Sequence, residues 1–463
     1  MSTTLVLPGA LVAELDEHAR VPNESGAVLL VRDHVTASGD TRLLGRSLHW
    51  VPQEAYLERT PHEMKILSDG YIASLGLAEE TGAIPMWLHT HPVGPPLASS
   101  KDARVEAALD DVFRLRSGSD SFGTVIVSPS DGGLALTGTL RRGEAASEAI
   151  DRFWFVGDRW SLCRAFDAER THFEPGVFDR SVRAFGEAVQ RTIAELSIAV
   201  VGAGGTGSAV AEQLVRLGAR RLALIDADVL SASNVTRVYG SMAAQVGELK
   251  TEVLAGHLRA IAPDLQCRLI HGLCSSSHVA RSLASADLIF GCTDDNAGRL
   301  VLSRLASYYL IPVIDVGILL SSDAGEILTG IDGRITTLLP GSACLLCRGR
   351  VDLARAAAEM KTPEERVRLA DEGYAPALVE VEPAVVAFTT MVASFAVSEL
   401  LERLIGYGDS PRPSELLLRI HDRAISTNEA SPRRGHYCHP DGGKLGLGDA
   451  DPFLEQVWSE GSE

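Results

Sequence analysis

Two histidines one residue apart start the chemistry. The chain reads Trp87-Leu88-His89-Thr90-His91-Pro92, then Ser99-Ser100-Lys101-Asp102. On a strand, alternate residues share a face, so His89 and His91 would present their imidazoles together. With the Asp102 carboxylate they offer three protein ligands to zinc and leave a fourth position for water, as a catalytic site requires. Zinc-bound water ionises at about pH 7, and Glu24, just ahead of an apolar run at 27–31, is a candidate base for it. The same stretch also reads as a strand with two surface histidines and a helix capped by Ser99. The full spacing favours the metal: His-x-His, seven residues, Ser, two residues, Asp.

A second constellation begins at Gly202-Ala203-Gly204-Gly205-Thr206-Gly207, after an apolar run at 197–201. Glycines there let the backbone approach a phosphate, and the N-terminus of the next helix favours negative charge. Asp226 ends the next apolar run, where a carboxylate can hold a ribose hydroxyl. That much would also suit an NAD-dependent dehydrogenase. Three later features favour a triphosphate. Asp228 is followed by Ser233-Asn234-Val235-Thr236-Arg237, Lys250 follows Val246-Gly247-Glu248-Leu249, and Gly291-Cys292-Thr293-Asp294-Asp295 puts carboxylates at a strand end. Arginine and lysine suit phosphates and a carboxylate suits magnesium. Hydride transfer needs none of that charge.

The first set resembles the JAMM/MPN metallopeptidase family, with every motif position filled. The resemblance implies zinc-dependent cleavage after the C-terminal glycine of a ubiquitin-like protein, in precursor processing or in deconjugation. His89, His91 and Asp102 would hold the zinc, Ser99 would hydrogen-bond the tetrahedral intermediate, and Glu24 would be the general acid/base. Pro22-Asn23-Glu24-Ser25-Gly26 departs from the family's usual glutamate-to-glycine spacing. The second set resembles the ThiF/MoeB/ubiquitin-activating superfamily over roughly residues 178–425. This implies ATP- and magnesium-dependent adenylation of such a glycine. Gly202, Gly204, Gly205 and Gly207 would cradle the nucleotide. Asp226 would hold the ribose with Asp228 beside it, Asn234, Arg237 and Lys250 would contact phosphates, and Asp294 would bind magnesium. In Phe178-Asp179-Arg180-Ser181-Val182-Arg183, serine stands where the superfamily usually has glutamine. Arg180, or alternatively Arg183, would reach the phosphates of the other subunit of a homodimer.

Seven cysteines are an odd, sparse set, which suggests metal or reactive thiol rather than a disulfide framework. Cys344-Leu345-Leu346-Cys347 offers half of a structural zinc site. Where relatives carry a second such pair, this chain has Arg434-Gly435-His436-Tyr437-Cys438-His439, so Cys438 with His436 or His439 would complete the site. Relatives place a thioester cysteine between the zinc pair and the apolar helix. Here that stretch, including residues 372–376 and 382–384, contains no cysteine, and the others are Cys163, Cys267, Cys274 and Cys292. The expectation is an acyl-adenylate without a thioester at that position.

The elements that must position these groups fall into two blocks. Apolar runs at 27–31 and 122–127, with helical patterns near 62–80 and 101–116, give an α+β domain over 1–165. Trp154 and Trp160 are expected to close its core or its junction with the next block. A helical connector spans 166–195. From 196 to 425, strands at 197–201, 222–225, 287–290 and 312–316 alternate with helices, including 208–217, which implies a doubly wound, Rossmann-like α/β sheet. A long apolar helix is expected over 384–405, and a zinc-completing segment and polar tail over 426–463.

Across 463 residues, 45% are hydrophobic and the net charge is −18, so a mostly disordered chain and a nucleic-acid partner are excluded on composition. No run approaches the roughly 20 apolar residues of a membrane helix, and residues 1–5 lack the basic start of a signal peptide. A cytoplasmic protein is expected, with a ubiquitin-like or sulfur-carrier partner and, in a conjugation pathway, a conjugating enzyme. Thiocarboxylate-based cofactor or siderophore synthesis and a non-catalytic scaffold are the alternatives.

Overall fold

The structure is a computed structural model that describes residues 2–168, 176–323, 327–361, 365, 368 and 384–458. The chain divides into two compact units, Met1–His172 with Gly446–Gly448, and Phe173–Leu445 with Asp449–Glu463.

The first unit is built on a nine-stranded mixed sheet. Its strands are β1 (Thr3–Pro8), β2 (Gly26–Val35), β3 (Thr41–Trp50), β6 (Ile84–Thr90), β7 (Ser121–Ser130), β8 (Gly133–Arg142), β9 (Glu148–Ala149), β10 (Arg152–Val156) and β11 (Trp160–Arg164), in the order β11-β10-β1-β3-β2-β6-β7-β8-β9. β4 (Tyr56–Arg59) and β5 (Met64–Ile66) form a separate hairpin. Helix α1 (Gly9–Ala19) covers one face of the sheet through Leu11, Leu15 and Ala19. Helices α2 (Asp69–Thr81) and α3 (Ser100–Ser117) cover the other through Leu75, Ala78 and Phe113. The two faces explain the fully buried β6. Its Met86 and Leu88 join the α1 core while Trp87 joins the core of α2 and α3. The period of two therefore turns His89 to the α2–α3 side. Trp154 and Trp160 are buried and meet edge to face at 6.3 Å.

In the second unit, α4 (Asp179–Glu195) leads into β12 (Ser197–Val201), α5 (Gly205–Arg216), β13 (Arg221–Asp226), α6 (Lys250–Ile261), β14 (Gln266–His271), α7 (Ser277–Leu283), β15 (Leu288–Gly291), α8 (Asn296–Tyr308), β16 (Val313–Asp323), β17 (Ile327–Leu338), α9 (Leu353–Glu359), α10 (Val386–Ile405), β18 (Glu415–Arg419) and β19 (Ala424–Asn428). The sheet order is β14-β13-β12-β15-β16-β17-β18-β19. The first five are parallel and the last three are added antiparallel. From β12 the chain first builds outward through β13 and β14, then returns to the other side of β12 with β15. The carboxyl ends of β12 and β15 thus flank the switch point at which open α/β sheets bind ligands. Helix α5 begins at Gly205, three residues before the expected 208, because the glycine turn itself forms its first residues. Residues 372–376 and 382–383 lie outside the described residues.

Candidate functional sites

In the first unit, His89 ends β6 and His91 comes just after it, with the His91 amide bonded to the Val127 carbonyl at 2.8 Å. Their Nε2 atoms lie 3.1 Å apart. Asp102, in the first turn of α3, approaches His89 Nε2 at 3.7 Å and His91 Nε2 at 3.8 Å. His91 Nδ1 donates to the Pro95 carbonyl at 3.0 Å, which leaves its Nε2 lone pair for a metal. Burial, followed by the charge of His91, pushes His89 down to about 4, so it is neutral near pH 7, the form that ligates. His89 Nδ1 is buried without a hydrogen-bond partner among the described residues. Two converging imidazole nitrogens and a carboxylate, within 4.8 Å of one another, suit zinc.

The capping reading of Ser99 holds in the structure. It caps α3: its Oγ accepts from the Asp102 amide at 3.2 Å, and the Asp102 Oδ2 accepts from the Ser99 amide at 2.7 Å. The cap uses the Ser99 oxygen as acceptor, so the hydroxyl proton is available to a developing oxyanion. Glu24 is 8% exposed and lies just before β2. Its amide bonds to the Thr60 carbonyl at 2.9 Å and its carbonyl accepts from Arg59 Nε at 2.7 Å, which ties it to the β4–β5 hairpin. Burial raises its pKa, partly offset by His91. Glu24, His89, His91, Ser99 and Asp102 line one cavity of about 440 Å³. Sequence reasoning missed two other contributors to it: the hairpin residues His62–Ile66, and Glu106 on α3. Glu106 lies four residues beyond Asp102, so helical spacing was a usable signal.

In the second unit, Gly202 comes directly after β12 with φ +95°, and a Cβ there would stand 2.6 Å from the Cys292 carbonyl oxygen. A Cβ on Gly207 would stand 1.7 Å from the Gly202 oxygen. Glycine is therefore imposed at both positions, at Gly202 by the approach of the loop after β15 and at Gly207 by the turn's own carbonyl. Gly204 is the residue before α5 and Gly205 its first. The Arg237 stem lies against Gly205, while its guanidinium donates to the Ser233 carbonyl at 3.0 Å. Asp226, at the end of β13, accepts from the Ala203 amide at 2.7 Å and the Asp228 amide at 2.8 Å. Burial raises its pKa, opposed by Lys250. Lys250 opens α6 and reaches Asp228 at 2.7 Å and Asp226 at 3.9 Å. Asn234 is buried and accepts from the Ser231 amide at 3.2 Å.

Asp294 is exposed after β15, whereas its neighbour Asp295 caps α8 through the Gly298 amide at 2.5 Å. Capping occupies Asp295, and Asp294 lines a separate cavity of about 760 Å³ with Arg299 and Arg334. Arg180 is exposed on α4, and Arg183 is paired with Asp179 at 3.0 Å.

A third group joins Cys344 and Cys347 to His436 and Cys438, all ligand atoms within 4.8 Å. His436 Nδ1 lies 3.2 Å from Cys438 Sγ, 3.5 Å from Cys347 Sγ and 3.6 Å from Cys344 Sγ. His439 instead starts a short 3-10 turn, its Nδ1 accepting from the Asp441 amide at 3.1 Å. Of the two histidines the sequence left open, His436 is the one that joins the thiols, a donor set suited to closed tetrahedral zinc. Each of the other thiols is made a poorer nucleophile by burial, which raises Cys163, pushes Cys267 up to about 11, and lifts Cys274 and Cys292 well above the ordinary thiol range. Among the described residues, no helix is long and apolar enough to cross a membrane.

Against known proteins, the profile of the ThiF family matches residues 178–438. The SAMP-activating enzyme E1 of Haloferax volcanii is 27% identical over 150 residues, 32% of this chain and 52% of that protein. The molybdopterin-synthase adenylyltransferase of Escherichia coli is 28% identical over 172 residues, 37% of this chain and 65% of that protein. The ATP-dependent ubiquitin transferase-like protein Cap2 of Enterobacter hormaechei is 36% identical over 178 residues, 38% of this chain and 28% of that protein. Each match thus spans less than two thirds of the relative.

Proposed function

This chain belongs to the ThiF family, and we propose that its second unit is an ATP- and magnesium-dependent adenylyltransferase for the C-terminal glycine of a ubiquitin-like or sulfur-carrier protein. The observation that carries this reading is the meeting of the Gly202–Gly207 turn with Cys292 and Thr293, just ahead of Asp294, at the sheet's switch point, with Asp226 and Lys250 at the end of the neighbouring strand. In the reaction, a glycine carboxylate oxygen joins the α-phosphorus and pyrophosphate leaves. The glycine turn admits the phosphates, Asp226 and Asp228 hold the ribose side, and Asn234, Arg237 and Lys250 carry phosphate charge. Asp294 would hold the magnesium. Arg180 of a second copy completes the site in a homodimer. The buried thiols favour direct transfer of the acyl group to a partner's thiol or amine. A conjugating enzyme would take it in protein modification, and a sulfur donor in thiocarboxylate synthesis.

We propose also that the first unit is a JAMM-type zinc peptidase acting after the same kind of glycine, because His89, His91, Asp102, Ser99 and Glu24 share one cavity. Zinc held there would polarise the scissile carbonyl and supply hydroxide near neutral pH. Glu24 takes and returns the proton, Ser99 donates to the oxyanion, and the Pro95 carbonyl fixes the His91 ring.

ATP–pyrophosphate exchange driven by a glycine-terminated ubiquitin-like protein tests the adenylation reading. Exchange should require that protein and fall about 10²-fold or more in Lys250→Ala, the loss expected when one charge stabiliser of the transition state is removed. A Lys250→Ala protein exchanging at the wild-type rate would remove Lys250 from the mechanism, and wild-type exchange that ignores the carrier protein would remove the proposed substrate.

A further inference from the structure

We propose that Glu106 anchors a lysine or arginine side chain of the substrate, one or two residues from the scissile bond, in the cavity that holds His89, His91 and Asp102. This rests on the peptidase reading of the first unit. Four residues beyond Asp102, Glu106 returns to the same face of α3. At 1.5 Å rise per residue it lies roughly 6 Å farther along the helix axis, the span of about two residues of extended peptide. The cavity wall there is apolar, formed by Ile66, Tyr71, Trp87 and Leu109.

A carboxyl group in such a place needs donors, and this one is short of them. The Thr124 hydroxyl supplies one hydrogen bond, but Oε1 is buried without a partner among the described residues. Burial, then the charge of Asp102, pushes Glu106 up to about 7. Nearby lysines are engaged elsewhere: Lys101 with Glu63, and Lys65 with Glu58 at 2.5 Å. A ligand cation meets every one of these demands. It donates to Oε1 and offsets the repulsion between Asp102 and Glu106. The aliphatic stem of a lysine or arginine covers the apolar wall while its head reaches the carboxylate. A neutral donor would satisfy the hydrogen bond and leave the repulsion.

The test uses internally quenched peptides that end a glycine tail and carry one lysine, glutamine or glutamate at each of the positions flanking the scissile bond. The zinc-loaded full chain should show a kcat/KM ratio of about tenfold for lysine over glutamine at one position, the worth of one charge-assisted hydrogen bond. Glu106→Gln should bring that ratio close to one, and Glu106→Lys should turn the preference toward glutamate, with zinc content measured on each protein to show that the site still assembles. A wild-type enzyme that cleaves lysine and glutamine peptides alike, or a Glu106→Gln protein that keeps the preference, overturns the assignment. Should wild type cleave none of the peptides, the peptidase reading falls, and calorimetric binding of the same peptides decides Glu106 separately. Tighter binding of the lysine peptide, lost in Glu106→Gln, supports it, and equal binding overturns it.

Discussion

On the proposed peptidase reading Glu24 and Asp102 have separable jobs in one cavity, and that separation can be measured. Asp102 reaches both histidines, so its loss should empty the metal site. Glu24 is tied through its backbone to the β4–β5 hairpin, and its loss should leave the metal in place. Asp102→Ala is therefore expected to lower bound zinc from two ions per chain to one, the remaining ion held by Cys344, Cys347, His436 and Cys438. Glu24→Gln should keep both ions while glycine-tail cleavage falls by about 10²–10⁴-fold, the usual worth of a general acid/base. Metal analysis beside peptide kinetics checks both, and a Glu24→Gln protein that loses zinc would make Glu24 a ligand instead. His89, His91, Ser99 and Asp102 were legible in the sequence because their geometry is local, one strand period and one helix cap. The position of Glu24 was less so, because it depends on strand pairing and on a hairpin far along the chain. Helical spacing from Asp102 offered Glu106, but nothing in the sequence separated it from the other acids of α3, of which Asp110 is the more deeply buried. His436 could not be told from His439 until the turn after Cys438 was known.

Most elements whose signals are local were read closely, although the helix expected near 62–80 starts only at Asp69 because Met64–Ile66 pairs as a strand, and those fixed by pairing were not. The run at 197–201 is β12 residue for residue, and the apolar helix expected over 384–405 is Val386–Ile405. The order of β1, β3 and β10 was not readable, since β1 pairs in parallel with partners distant in sequence. Nor was the antiparallel extension β17–β18–β19, whose pairing rests on buried polar groups rather than on an apolar pattern alone. Glu415, which begins β18, is 1% exposed and accepts from Arg350 at 2.9 Å, Asn428 at 2.6 Å and the Thr336 hydroxyl at 2.9 Å. Burial alone would raise its pKa, but these donors win and hold it at about 2. A folded value below the unfolded value of roughly 4.3 means its stabilising contribution is present above that pH and is lost as pH falls toward 2. The contribution is on the order of 3 kcal/mol. Glu415→Gln should melt below wild type at pH 7, and the gap should narrow between about pH 4.5 and 2. A gap that stays constant across that range would show that shape, not charge, holds the strand extension.

At the scale of the whole molecule, the two proposed chemistries fit together in one chain if one prepares the substrate of the other. Cleavage after a glycine creates a free carboxylate, and adenylation consumes one. A carrier extended beyond its terminal glycine has no such carboxylate to offer at the right place, so it should support no pyrophosphate exchange until it is cut. Given an extended carrier, wild type should cleave and then exchange, Asp102→Ala should do neither, and Lys250→Ala should cleave without exchanging. Given the mature carrier, Asp102→Ala should exchange as wild type does, because His89, His91 and Asp102 lie in the unit 1–172 and the nucleotide site in the unit 173–445. Exchange by Asp102→Ala on the extended carrier at the wild-type rate would break the sequential logic and leave the peptidase to act on finished conjugates. The same reactions, run on gels with and without thiol, report on the acyl group's route. Every thiol outside the Cys344 cluster has its pKa raised by burial, so no thiol-labile adduct between this chain and the carrier is expected. Such an adduct mapped to Cys274 would show that the turn holding this buried residue opens during the cycle, and direct transfer to a partner would then have to be abandoned.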